Sequence, residues 1–237
     1  MNKIDCYRTE LRQKSDWDDY LLAESHLPGP RGNLELLQAV VEEGEPDRLM
    51  RYAARDAEQA PTNTPGEFLA ACGTAGLGRL LAEGQCEYLP TLRSLASDSR
   101  WRVREAVAMA LQRWGDTDLS AMTNEAEVWA QGSLLEQRAM VAGLCEPRLL
   151  KSPVQARRVL ALLDQTTHGI LQNPSRKTEE FRILRQALAY AWSVAVAALP
   201  DEGKPVMQVW LACPDPDVAW VMKENLKKKR IAGLFEG

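Results

Sequence analysis

Between residues 103 and 114, the apolar residues Val103, Ala106, Val107, Ala110, Leu111 and Trp114 recur at three- and four-residue spacing. Arg102, Glu105, Gln112 and Arg113 fall on the other side. That period predicts an amphipathic helix with one face turned to a core. Asp98 or Ser99 supplies its start, accepting N–H groups that the first turn leaves open, and Gly115 supplies its stop. Upstream, Ser15-Asp16 caps a helix holding Trp17, Tyr20, Leu21 and Leu22, with Asp16, Asp18 and Asp19 at its positive end. Leu34, Leu37, Gln38 and Val41 give the next, closed by Gly44, and Pro46-Asp47 opens another. Further helices are predicted over 66–81, 87–96, 119–131, 134–144, 153–171, 179–199, 205–211 and 217–230. Proline and glycine break the pattern at 28–33, at 60–66 and around Asn173-Pro174, and the 60–66 loop is the expected hinge of the N-terminal half. No segment sustains the alternation of a strand, so no sheet is expected.

Two helices depart from simple amphipathicity. Residues 66–81 are helical by period yet rich in glycine, and Gly73 and Gly76 each cost about 1 kcal/mol against alanine. Close approach of a second backbone is the expected compensation. Residues 179–199 are apolar on nearly every side, from Phe181 to Val196, which predicts a buried central pillar for the C-terminal half.

The helices also repeat. Cys72, Ala106, Ala139, Ala187 and Val221 occupy matching places at successive offsets of 34, 33, 48 and 34 residues. Leu77, Leu111, Leu144 and Leu226 follow four of them at one fixed distance. Offsets near 33–34 indicate stacked helix pairs, the longer one absorbing the helix at 153–171. The stretch carrying Asp98, Val103, Arg104, Ala106 and Leu111 resembles the second helix of a HEAT repeat, in which an Asp and a turn precede a helix carrying Val-Arg, then Ala and Leu. The resemblance implies a right-handed α-α superhelix, a HEAT- or armadillo-like solenoid of about five to six helix pairs. Residues 61–237 would form the repeats and 1–60 an atypical cap on the same array. It also implies that Asp98 and Arg104 belong to a ladder between neighbouring repeats. In the last unit Cys213 and Ala219 take those two places, so both partners vanish together rather than leaving one buried charge alone.

Composition narrows the function. Apolar residues make up 45% and charged residues 26% of the 237, an ordinary soluble balance, and no apolar run reaches the length of a membrane span. The opening residues lack the apolar segment of a secretory signal, so a cytoplasmic location without membrane association is expected. Net charge is −4, which disfavours nucleic acid as the partner. Five scattered cysteines form no disulfide or zinc pattern, and His26 and His168 lie 142 residues apart. No phosphate loop, zinc signature or nucleophile triad is present, so no cofactor, metal ligand or catalytic residue is assigned.

In stacked pairs the second helices line a concave side, the usual binding face. Opposite the apolar stripe this places Arg102, Glu105, Gln112, Arg138, Arg182, Arg185 and Lys223. Arg100, Trp101, Arg102 and Arg104 form the densest positive cluster, with an aromatic that could stack. The alternative is a solvated surface with pairs such as Arg102–Glu105, and Arg104 given to the ladder. Seven tryptophans exceed the needs of a small core, and one exposed on the concave face would be an interface anchor. The expected function is a non-enzymatic scaffold holding a protein partner. The second reading is a DNA-repair glycosylase of the HEAT-like alkylpurine type, with Trp101 and Glu105 flanked by Arg102 and Arg138.

Overall fold

A computed structural model describes residues 2–235; Met1, Glu236 and Gly237, at the outer ends of the expected regions 1–60 and 61–237, lie outside the described residues. Among the described residues every regular element is a helix. None is long and apolar enough to cross a membrane. The chain divides into two compact units between Trp114 and Gly115, so residue 60 falls inside the first of them.

The first unit holds α1 (Lys3–Arg12), α2 (Asp18–Glu24), α3 (Leu34–Glu43), α4 (Pro46–Ala53), α5 (Pro65–Ala82), a 3-10 turn (Cys86–Tyr88), α6 (Leu89–Leu95) and the start of α7 (Trp101–Trp129). Asn2 caps α1 and Asn33 caps α3, each through its side-chain oxygen. Helix α5 is the centre, packed against α2, α3, α4 and α6. Its glycines do what the sequence suggests. A Cβ on Gly73 would lie 2.3 Å from the Ala53 nitrogen, and one on Gly78 2.3 Å from the Ala110 oxygen, so α4 and α7 meet α5 backbone to backbone. At its far end the Arg79 guanidinium donates to the carbonyls of Val41 and Gly44, satisfying the C-terminus of α3. Glu43 draws Arg8 and Arg12 of α1 onto α3; the Arg12 hydrogen bond leads in holding its carboxyl below the usual range, against the opposing effect of burial.

Two local expectations fail here. Gly115 does not end a helix: α7 runs on through it and breaks at Asp118 (φ −138°, ψ 82°), whose carboxylate then caps the Ala121 N–H at 2.9 Å. Nor is the 60–66 loop a loose hinge, because Ala60 is buried and its carbonyl accepts from Arg100 at 3.1 Å.

The second unit continues α7 and adds α8 (Leu134–Leu144), α9 (Pro153–Gln172), α10 (Glu179–Ala198), α11 (Pro200–Leu211), α12 (Pro216–Leu226) and a 3-10 turn (Lys229–Leu234). Ser133 and Glu136 form a reciprocal cap on α8. Helix α10 touches α8, α9, α11 and α12, as the pillar reading requires, although Arg182, Gln186 and Tyr190 leave one exposed strip. Trp192 is fully buried and donates its indole N–H to Thr167 of α9 at 3.1 Å. Asn225 of α12, also buried, accepts from the Ser193 N–H and donates to the Leu188 carbonyl. Where Cys213 and Ala219 lack the expected charges, Asp215 caps α12 instead and takes the Arg176 guanidinium. Burial pushes the Asp215 carboxyl up, but Arg176 and the Val218 N–H outweigh it and hold it below the usual range. Burial alone pushes the Cys72 and Cys145 thiols up, in keeping with cysteines acting as small hydrophobes.

Candidate functional site

Within the first unit, a cleft of about 270 Å³ opens between α3, α5, the first turns of α7 and the 28–33 loop. Its apolar surface comes from Leu34 and Leu37 of α3, Phe68 and Ala71 of α5, and Ala106 and Met109 of α7. These residues meet because α5, short of side-chain bulk, lets its neighbours come close. Trp101 stands at the mouth with 46% of its surface exposed, and Leu34 opposite is 39% exposed. The other six tryptophans are buried or half-buried.

The polar side is organised by Arg102. Its guanidinium lies over the Trp101 ring at 4.4 Å, pairs with Glu67 at 3.0 Å and donates to the Gly29 carbonyl at 2.6 Å. Glu67 is fully buried and also accepts from the Asn63 N–H at 2.8 Å. One ion pair therefore fastens α7 to α5 and to the 28–33 and 60–66 loops. Removing one member of such a pair leaves the other charge buried and alone, which is strongly destabilising. Among the described residues, Arg102 Nε and Glu67 Oε1 are buried with no hydrogen-bond partner. Arg31 and Glu105 complete the rim, both exposed.

Of the residues singled out from the sequence, Trp101, Arg102 and Glu105 line this cleft. Arg100 does not belong to any binding face. It is 1% exposed, its guanidinium is held by the Asp98 carboxylate at 2.7 Å, and it donates to the carbonyls of Asp56 and Ala60. The guanidinium can be buried because the Asp98 carboxylate accepts two of its donors and two turn carbonyls accept two more. Arg104 donates to the Asp98 and Ser99 carbonyls, and the Asp98 carboxylate serves Arg100. The suggested Arg102–Glu105 pair gives way to Arg102–Glu67. Gln112 is half-buried on α7, beyond the cleft lining.

The remaining candidates lie in the second unit. Arg138 is half-buried on α8, and Lys223 is exposed on α12. Arg182 is exposed and pairs with Glu179 at 3.5 Å. Arg185 is committed to Asp217 and lies over the Trp220 ring at 4.5 Å, a contact that fastens α10 to α12. Among the described residues, no three His, Cys, Asp or Glu gather as metal ligands.

Sequence reasoning missed Glu67, Arg31, Leu34 and Phe68. Glu67 carried one signal, a lone carboxylate heading a stretch that is otherwise apolar from Phe68 to Cys72. Among the described residues, the cleft offers an apolar floor, an indole wall, the Arg31 guanidinium and the Glu105 carboxylate. No hydroxyl, thiol or imidazole is among the described residues that line it. Set against known protein families, curated proteins and solved structures, the chain matches none of them.

Proposed function

We propose that the chain is a non-enzymatic binding module that holds a protein partner at the cleft around Trp101. The observation that carries this is the cleft itself, apolar within and edged by an exposed tryptophan and arginine, the composition of an interface anchor site. We read the fold as a HEAT-like right-handed superhelix of stacked helix pairs. Two features support that reading: the 33–34-residue spacing, and the succession of packed helices α1–α3–α5 and α8–α10–α12, each touching the next but one in the chain.

The alkylpurine glycosylase reading has one observation in its favour, Trp101 and Glu105 sharing a cleft with Arg102. Charge opposes it. The first unit carries 18 acidic against 14 basic side chains, a field that repels a polyanion.

Capture from a native lysate tests the proposal, comparing the chain with a Trp101→Glu variant of unchanged melting temperature. Loss of a captured protein from the variant is the expected result. Equal capture by both would overturn the cleft as the site. Binding of duplex DNA that weakens steeply with salt would transfer the case to the glycosylase.

A further inference from the structure

We propose that the occupant of the cleft is one large apolar side chain on a short peptide segment of the partner, flanked by a carboxylate that meets Arg31. This rests on the reading of the cleft as a protein-binding site. At about 270 Å³ the space lies at the small end of pockets that hold a ligand, roughly 300–1,000 Å³. Its walls are also open, with Trp101 46% and Leu34 39% exposed, so it covers one face of what enters and leaves the rest outside. A side chain on a continuing backbone suits that geometry; a free small molecule needs enclosure.

Charge selects the flank. Arg31, on the loop at the rim, is exposed and has no ion pair among the described residues. Arg102 beside it is already matched by the buried Glu67, so its charge is spent internally. Among the described residues lining the cleft, the cation without an ion pair is Arg31, whose planar fork takes a carboxylate through two hydrogen bonds. The long apolar positions Leu37, Phe68 and Met109 leave no donor or acceptor on the floor, which fits a hydrocarbon or aromatic side chain and leaves a base edge unread.

The test uses three fluorescein-labelled, end-blocked peptides of glycine and serine, read by anisotropy. One carries Phe beside two Asp, one carries Phe beside two Lys, and one keeps the Asp pair but replaces Phe by Ser. The Phe–Asp peptide is expected to bind at least about tenfold more tightly than the others. Trp101→Ala should abolish its binding, and Arg31→Glu should exchange the preference to the Phe–Lys peptide, both at unchanged melting temperature. Equal affinity for all three peptides, no effect of Trp101→Ala, or displacement of the peptide by an equal concentration of free hexanoate would overturn the proposal. If Trp101→Glu loses its captured protein while none of the peptides binds, the occupant is wrong and the site stands. Capture that survives Trp101→Glu removes both.

Discussion

Helices α5 and α10 each sit at the centre of one unit, and they reach that position by opposite means. Helix α5 is built small: Ala70, Ala71, Cys72, Gly73, Thr74, Ala75, Gly76 and Gly78 are all buried, and its neighbours come within reach of its backbone. Helix α10 is built large, burying Phe181, Leu184, Leu188 and Trp192, and it adds polar links to Thr167 and Asn225. Both are close-packed, but the space is filled by main chain in one case and by side chains in the other. The difference predicts which change each centre tolerates. Around α5 there is no room to add an atom. Around α10 there is nothing to replace one that is lost.

Trp192→Ala should give the largest effect. It removes the largest fully buried side chain of α10 and takes the indole donor from Thr167. Burial of this kind costs about 3–5 kcal/mol to undo, because the surroundings collapse only partly into the void. Chemical denaturation of the variant checks it. A loss below about 1 kcal/mol would mean that α10 is not the centre of its unit.

Gly73→Ala comes next and acts in the other direction, by insertion. Alanine favours helix by about 1 kcal/mol over glycine, so propensity alone forecasts a gain. The added Cβ would lie 2.3 Å from the Ala53 nitrogen, 2.5 Å from the Leu49 oxygen and 2.7 Å from the Tyr52 Cβ, and two of those three atoms are backbone that cannot rotate away. Overpacking outweighs propensity, and a net loss of about 1–3 kcal/mol is expected. A gain in melting temperature would show that α4 and α5 are not in backbone contact.

These two helices also mark what the sequence made legible. The pillar at 179–199 was readable because apolar residues on every side leave little choice but burial, and the observed element is Glu179–Ala198. The close approach at α5 was readable because glycine in a helix needs a reason. Gly115 misled for the same cause: a glycine stops a helix only when it turns to positive φ, and here it is buried in right-handed helix instead. Asp118, with its cap on Ala121, carried the true signal three residues on. At the cleft, Trp101, Arg102 and Glu105 were legible together because one helix turn presents them to the same side. The opposing walls, Leu34 and Phe68, are 67 and 33 residues from Trp101 along the chain, and no local pattern links them. Arg100 reads as exposed from its polarity, because an arginine whose guanidinium is buried against one carboxylate and two turn carbonyls looks no different in sequence.

The smallest effect separates glycine that is needed from glycine that is merely present. Gly169 lies in the last turn of α9, is exposed, and a Cβ there would meet nothing within 4 Å. Its φ is not in the left-handed region, so alanine fits without strain. Gly169→Ala therefore has the propensity gain of Gly73→Ala with none of the collision, and it also narrows the unfolded ensemble. Helix ends fray, so the gain should sit toward the lower part of about 0.4–1 kcal/mol. Measured side by side in denaturant, the two alanines should move the midpoint in opposite directions. If both stabilise, intrinsic helix preference governs at both positions, and the backbone approach of α4 to α5 contributes nothing to the fold. If both destabilise, α9 has a neighbour at Gly169 that its open surface does not show.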